Sequence, residues 1–108
     1  MVTDGPFLFK TSNDRLGMLW TSWIKDVYTQ GVAYSLTGSL DGPWIQEPEP
    51  ITPPNFGHGM LFTAFDGTVL MALHSHKKIA QDHVVRVPHF FVVDLNGNRL
   101  KVVREYKP

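Results

Sequence analysis

The chain has 108 residues, of which 43% are hydrophobic, and its ten basic residues balance its ten acidic residues. This length suits one small domain, and the charge balance gives no electrostatic reason to expect nucleic acid or an anionic membrane as a partner. The absence of cysteine excludes disulfides, thiolate catalysis and cysteine-ligated zinc, and no apolar run reaches the roughly 18–20 residues that a membrane-spanning helix needs.

The predicted elements are all strands, because the apolar segments are short, rich in β-branched and aromatic residues, and separated by turn-forming clusters. The clearest hairpin turns are Asp66-Gly67 and Asn96-Gly97. Proline cannot donate to a sheet ladder, so the proline-rich segment 48–56 is expected to connect two units. In chain order the eight predicted strands are 7–10, 16–23, 31–37, 43–46, 59–64, 68–74, 87–94 and 99–105.

An internal repeat with a period of about 53 to 54 residues relates the two halves of the chain. DGPFLFKTSNDRLGMLWTS (4–22) aligns with HGMLFTAFDGTVLMALHS (58–75) when one gap is allowed. Four antiparallel strands in a repeat of roughly 40–50 residues are typical of a β-propeller blade. The prediction is therefore an all-β propeller fragment, one partial domain over 1–108 with blades at 1–47 and 57–108. A single small β-sandwich is the alternative.

The repeat alignment places Asp4 and His58 at equivalent positions, each just before the first strand of its unit. The first strand of a propeller blade lines the central axis, so both side chains are expected to face the axial cavity. A structural alternative stays open for each residue. Asp4 in Asp-Gly-Pro is also a common turn residue, and a loop histidine between two glycines can simply bond to backbone.

The segments TDGPFLF, LGMLWTSW, GVAYSLTGSLDGPW and GHGMLFTAFDGTVLMALHS together resemble the C-terminal part of glycoside hydrolase family 43. The resemblance extends from Val2 to about Val102. It implies a five-bladed β-propeller that hydrolyses arabinose- or xylose-containing glycans with inversion, of which this chain supplies two blades. It also implies a secreted or periplasmic protein.

Carried over residue by residue, the resemblance implies that Asp4 is the general acid, at a position where the family normally has glutamate before Gly-Pro. It implies that His58 lies near the propeller axis and helps to hold a calcium ion or a water molecule there. Asp4 is one methylene shorter than glutamate, which sets its carboxyl group about 1.5 Å further back. The general base belongs to earlier blades of the family and has no counterpart here, so we expect this polypeptide alone to be inactive.

Further candidates come from the aromatic and basic residues. Trp23, followed by polar Lys25 and Asp26 in an expected irregular loop, is the tryptophan best placed to stack on a sugar. Arg86 is a candidate for hydrogen bonding to a sugar hydroxyl, with pairing to a surface acid as the alternative. The segment HSHKKIAQDH is interpreted as a polar hairpin loop, and a transition-metal site is a weaker alternative built from Asp82 and the histidines His74, His76, His83 and His89.

The predicted blades leave large apolar flanks open, because such repeats bury their faces on neighbours and about three are usually needed for stability. We therefore expect self-association or association with the missing blades. The rival interpretation of the whole chain is a non-catalytic β module that binds carbohydrate or a protein partner.

Overall fold

A computed structural model describes residues 3–107, without the side chains of Thr3 and Asp4. Its eight strands form two four-stranded antiparallel sheets in which each strand pairs with its neighbour in sequence. The predicted all-β fold with two four-stranded sheets is confirmed. No helix of the described residues is long and apolar enough to cross a membrane. The first sheet contains β1 (Thr3–Lys10), β2 (Leu16–Ile24), β3 (Val27–Ser35) and β4 (Trp44–Gln46), and the second contains β5 (Phe56–Thr63), β6 (Val69–Ala80), β7 (His83–Asp94) and β8 (Lys101–Glu105).

Two hairpins differ from the predicted boundaries. β2 and β3 join through only two residues, Lys25 and Asp26, with φ of 50° and 64°, so the strand that contains Trp23 leads into a tight turn and not into an irregular loop. Such a turn requires positive φ at both positions, which the sequence signals only weakly without glycine. β6 and β7 turn at 81–82, so most of the segment predicted as a polar hairpin loop is strand.

The sheets pack on each other through residues that alternate along their central strands, as the period of two in a strand requires. Leu19 of β2 and Met71 of β6 are completely buried in this core. At its far end the hydroxyl of Tyr34 accepts a hydrogen bond of 2.8 Å from the backbone N–H of Leu100. The core residues are Phe9, Leu19, Val32, Tyr34, Met71, Leu73, Phe91, Val93 and Leu100.

The strand register corrects the repeat alignment by one residue. A bulge directly follows Asp4 in β1 and directly follows Gly57 in β5. Asp4 therefore corresponds to Gly57, and Gly5, with φ of 58°, corresponds to His58, with φ of 60°. The predicted equivalence of Asp4 and His58 is wrong, because matching glycines by identity shifted the alignment within the bulge. The feature that repeats is the left-handed backbone at the first bulge position.

A chain of hydrogen bonds crosses β6, β7 and β8 at the edge of the core. His89 Nε2 lies 3.1 Å from Ser75 Oγ, and His89 Nδ1 lies 3.1 Å from Glu105 Oε2. The hydrogen bond from His89 lowers the pKa of Glu105 below its ordinary value of 4.5, and Lys107, 3.6 Å away, lowers it further. The ionised form of Glu105 is therefore favoured by folding.

We expect the free energy of unfolding to fall less on acidification in Glu105→Gln than in the wild-type chain. A depressed carboxyl pKa contributes stability that is fully present above the unfolded-state value and is lost as the pH falls through the folded-state value. The wild-type chain should thus lose this contribution below about pH 4.5, and the variant should show a flatter stability curve there. Denaturant unfolding between about pH 3 and 7 measures the difference, and parallel curves for the two proteins would contradict it.

Candidate functional site

A cleft of about 480 Å³ opens between the sheets, beside the bulge of β5. Three residues that the sequence predicts as site residues, Trp23, His58 and Arg86, lie together in its wall. They come from three different strands, β2, β5 and β7. The full lining is Trp23, Tyr28, His58, His74, His76 and Arg86.

Buried side chains of the first sheet hold the two amides of the β5 bulge. The N–H of His58 donates to Thr21 Oγ1 at 2.6 Å, and the N–H of Gly59 donates to Gln30 Oε1 at 2.8 Å. Gln30 is completely buried, and its Nε2 donates to two backbone carbonyls of the first sheet at 2.9 and 3.2 Å. Because buried polar groups need partners, this arrangement fixes the exposed His58 at the cleft.

Gly57 lets the first sheet approach the backbone of β5. A Cβ atom at this position would lie 2.5 Å from Thr21 Cγ2 and 2.6 Å from Tyr28 Cε2. Without one, the Tyr28 ring packs on the strand and reaches His74, with 3.1 Å between the Tyr28 hydroxyl and His74 Nε2. The glycine is therefore a requirement of close packing at the base of the cleft.

Trp23 forms an aromatic wall of the cleft. Its ring centroid lies 4.8 Å from that of Tyr28 and 5.3 Å from that of His76, and the side chain stays 46% exposed. Tyr28 and His76 meet edge to face at 4.5 Å. A partly exposed indole held by two other rings offers a rigid apolar surface on which the apolar face of a sugar can stack.

The described lining is cationic or neutral. Arg86 lies directly across from His76 in the β6–β7 ladder. Burial lowers the pKa of His74, and the nearby His76, Arg86 and His58 lower it further, which favours the neutral form of His74. No carboxylate is among the described lining residues, and the positive charge of Arg86 is therefore not neutralised there.

The metal predictions depend on the same residues. Calcium takes six to eight oxygen ligands, whereas the described lining offers mainly imidazole nitrogens. In residues 5–107 no group of three or more His, Asp or Glu side chains could hold a metal ion. His89 in particular is bonded to Ser75 and Glu105 away from the cleft. As described, the cleft does not fit a directly bound calcium or zinc ion.

The backbone of Asp4 lies opposite Thr21 in the β1–β2 ladder, and Thr21 is the acceptor for the His58 amide. The position of Asp4 thus adjoins the bulge that carries His58. Its side chain lies outside the described atoms, so its role as general acid stays a prediction.

Sequence reasoning missed Tyr28, and it assigned His74 and His76 no role at the cleft beyond the weaker alternative of a transition-metal site. Tyr28 was placed between strands because the two-residue turn before it was not recognised. The available signal was the i, i+2 spacing of His74 and His76, which puts them on one face once both belong to a strand.

Solved structures that are similar to this chain are glycoside hydrolases. An endo-arabinase from Bacteroides thetaiotaomicron VPI-5482 is 29% identical, with a TM-score of 0.69 over 99% of this chain and 32% of that chain. An endo-1,4-beta-xylanase from the same organism is 21% identical, with a TM-score of 0.77 over 94% and 38% of the two chains. A thermostable family-43 glycoside hydrolase is 22% identical, with a TM-score of 0.76 over 98% and 38%.

These likenesses confirm the resemblance to glycoside hydrolase family 43, and the two sheets are propeller blades. The chain spans about a third of the length of the solved proteins that it matches. No protein-family model matches the chain, and no curated protein does.

Proposed function

We propose that this chain forms part of the active-site wall of a glycoside hydrolase that cleaves arabinose- or xylose-containing glycans with inversion. The observation that carries the proposal is the meeting of Trp23, His58 and Arg86 in one cleft between the two sheets. The fold is one whose solved examples include an endo-arabinase and an endo-xylanase.

In this proposal Asp4 is the general acid that protonates the leaving-group oxygen. Trp23 stacks on a sugar ring, Arg86 donates to a sugar oxygen, and His58 orients a water molecule. Inversion also needs a carboxylate base roughly 6.5–9.5 Å from the acid, and the described lining supplies none. The chain alone therefore binds glycan but does not turn it over.

A second candidate function is carbohydrate binding without catalysis. The observation that favours it is the same lining, which has an exposed indole and hydrogen-bond donors but no described carboxylate. In that case Asp4 has only a structural role in β1, directly before the bulge.

Glycan binding tests the proposal directly. We expect the purified chain to bind arabino- or xylo-oligosaccharides in calorimetry, and Trp23→Ala to weaken binding about tenfold, since aromatic stacking contributes roughly 1 kcal/mol or more. Trp44→Ala is the matched control, because Trp44 lies on β4 outside the cleft.

Turnover assays on the same preparation separate the candidate functions further. No release of arabinose or xylose is expected from the chain alone. Release of these sugars that disappears in Asp4→Ala would show that the site is complete, and it would contradict the proposal that the chain lacks the general base. Failure to bind any of these oligosaccharides would contradict both candidate functions.

We also propose that further blades or a second copy of the chain cover the outer face of the second sheet. Met60, Phe62 and Phe90 share that face by register and are 50%, 41% and 40% exposed, and the two phenyl rings meet edge to face at 6.1 Å. Sedimentation velocity should therefore show association at micromolar concentration, and a monodisperse 12 kDa monomer would contradict it.

A further inference from the structure

The hairpin of β6 and β7 extends beyond the rest of its sheet as a two-stranded ribbon. The pairing of β5 with β6 ends at Ser75, and the pairing of β8 with β7 covers only Phe91 to Asp94. Residues 76–86 therefore pair only with each other, from the directly opposed His76 and Arg86 to the turn. The base of this ribbon is one wall of the cleft.

Basic side chains line one face of the ribbon in a row. Strand alternation puts His74, His76 and Lys78 on the same face, with roughly 7 Å between successive members. Arg86, across from His76, lies on that face too. The row runs from the base of the cleft outward along the ribbon.

The positive charge of this row is that of Arg86 and Lys78, and no described carboxylate forms an ion pair with either side chain. The ion pairs of the described residues are His89–Glu105, Arg99–Glu47 and Lys107–Glu105, and neither Arg86 nor Lys78 takes part in one. The whole chain is neutral, so the excess is local. In the proposed mechanism Asp4 adds no negative charge when substrate binds, because a general acid is protonated at that stage.

A second feature of the cleft wall is a buried polar atom without a hydrogen-bond partner in the described structure. His76 Nδ1 is buried and has no hydrogen-bond partner within the described structure. Buried polar atoms are rarely left unpaired. The His76 side chain lies between Trp23 and Arg86. The ring centroids of His76 and Trp23 are 5.3 Å apart, and Arg86 is the partner of His76 on the neighbouring strand.

We propose, on the basis of the proposed function, that the glycan bound here is acidic and carries the carboxylates of uronic acids. One carboxylate pairs with Arg86, whose planar guanidinium matches a carboxylate through two parallel hydrogen bonds. Trp23 stacks on the adjoining sugar ring, and a further carboxylate of the same chain meets Lys78 on the ribbon. The alternation of an aromatic surface and separated cations fits a charged sugar polymer.

Calorimetry with matched probes tests this inference on the 108-residue chain. The probes are a xylo-oligosaccharide that carries two glucuronic acid side groups and the same oligosaccharide with its carboxyl groups reduced to alcohols. We expect the acidic probe to bind at least tenfold more tightly at low salt, and this preference to shrink as salt screens the charges.

Single substitutions test which side chain causes the preference for the acidic probe. Arg86→Gln should reduce binding of the acidic probe about tenfold more than it reduces binding of the reduced probe, while Arg86→Lys keeps part of the preference. Arg104→Gln is the control, because Arg104 lies on β8 outside the cleft lining. Thermal unfolding of each variant verifies that it is folded.

The outcomes distinguish this inference from the proposed function. Equal binding of the two probes would overturn the inference and leave the proposed glycosidase intact. Equal weakening by Arg104→Gln and Arg86→Gln would show unspecific charge attraction and also overturn it, as would tighter binding of a DNA oligonucleotide of similar charge. If neither these probes nor the neutral oligosaccharides bind, both the inference and the proposed function are wrong.

Discussion

Asp4→Ala is expected to abolish hydrolysis in a chimera that joins this chain to the part of the B. thetaiotaomicron endo-arabinase that it does not cover. The endo-arabinase provides the remaining two thirds of the propeller, because this chain covers 32% of the length of that protein. A positioned general acid contributes about 10²- to 10⁴-fold, so kcat should fall by that factor on arabinan. The measurement is release of reducing sugar by the chimera and its Asp4→Ala variant.

Leaving-group dependence separates an acid from a merely structural residue. An aryl glycoside with a strongly acidic phenol needs little protonation on departure, so Asp4→Ala should slow its hydrolysis far less than that of arabinan. Asp4→Glu tests the missing methylene, since the glutamate carboxyl group reaches about 1.5 Å further. The kcat of this variant on arabinan should equal or exceed that of the chimera with Asp4. An equal loss on both substrates in Asp4→Ala would contradict the acid role.

Which features of the fold could be predicted depends on how directly each turn is encoded. Asp66-Gly67 and Asn96-Gly97 place glycine at positive φ, 89° and 80°, and the strand ends that adjoin these turns were predicted to within two residues. The turn at Lys25 and Asp26 uses the same left-handed backbone without glycine. The sequence marks this turn only weakly, and Tyr28 was consequently missed.

The β6–β7 ribbon was predicted too short for a different reason. Residues 77–84 are exposed, and a two-stranded ribbon that is solvated on both faces needs no apolar alternation. Its polar composition therefore resembles that of a loop. The outward run of basic residues that includes His76 and Lys78 could not be recognised until the pairing of the two strands was known.

The candidate site followed from the repeat in its general location but not in its details. The repeat put His58 near the start of a first strand, where a cavity was expected, and His58 does line a cleft. The residue of β1 that corresponds to His58 by strand register is Gly5 and not Asp4. What positions His58 is a set of long-range contacts, from Thr21 and Gln30 to the bulge amides. Such contacts depend on how two sheets meet, and no spacing within either repeat encodes them.

Gly57→Ala is expected to destabilise the fold by about 3 kcal/mol, toward the upper end of the cost of overpacking a well-packed interior. Gly57 is not among the glycines with positive φ, so the added methyl group causes no backbone strain. Its cost is steric, because the new atom meets Thr21 and Tyr28 at 2.5 and 2.6 Å. For a domain of this size the expected fall in Tm is about 10–20 °C, and denaturant unfolding provides the free energy.

The clash also predicts which second change relieves it. Thr21→Ser removes the Cγ2 atom but keeps the hydroxyl that accepts the His58 amide, so it should recover part of the stability lost in Gly57→Ala and thereby show coupling between the two sites. Thr63→Ala, at the exposed end of β5, is the control and should change stability by less than about 0.5 kcal/mol.

The same clash is expected to alter the cleft. Because Tyr28 must move away from the methyl group of Gly57→Ala, its hydrogen bond with His74 lengthens and the aromatic wall behind Trp23 shifts. Gly57→Ala should therefore weaken glycan binding as well as stability, and a variant as stable as the wild-type chain would contradict this account of how the sheets meet.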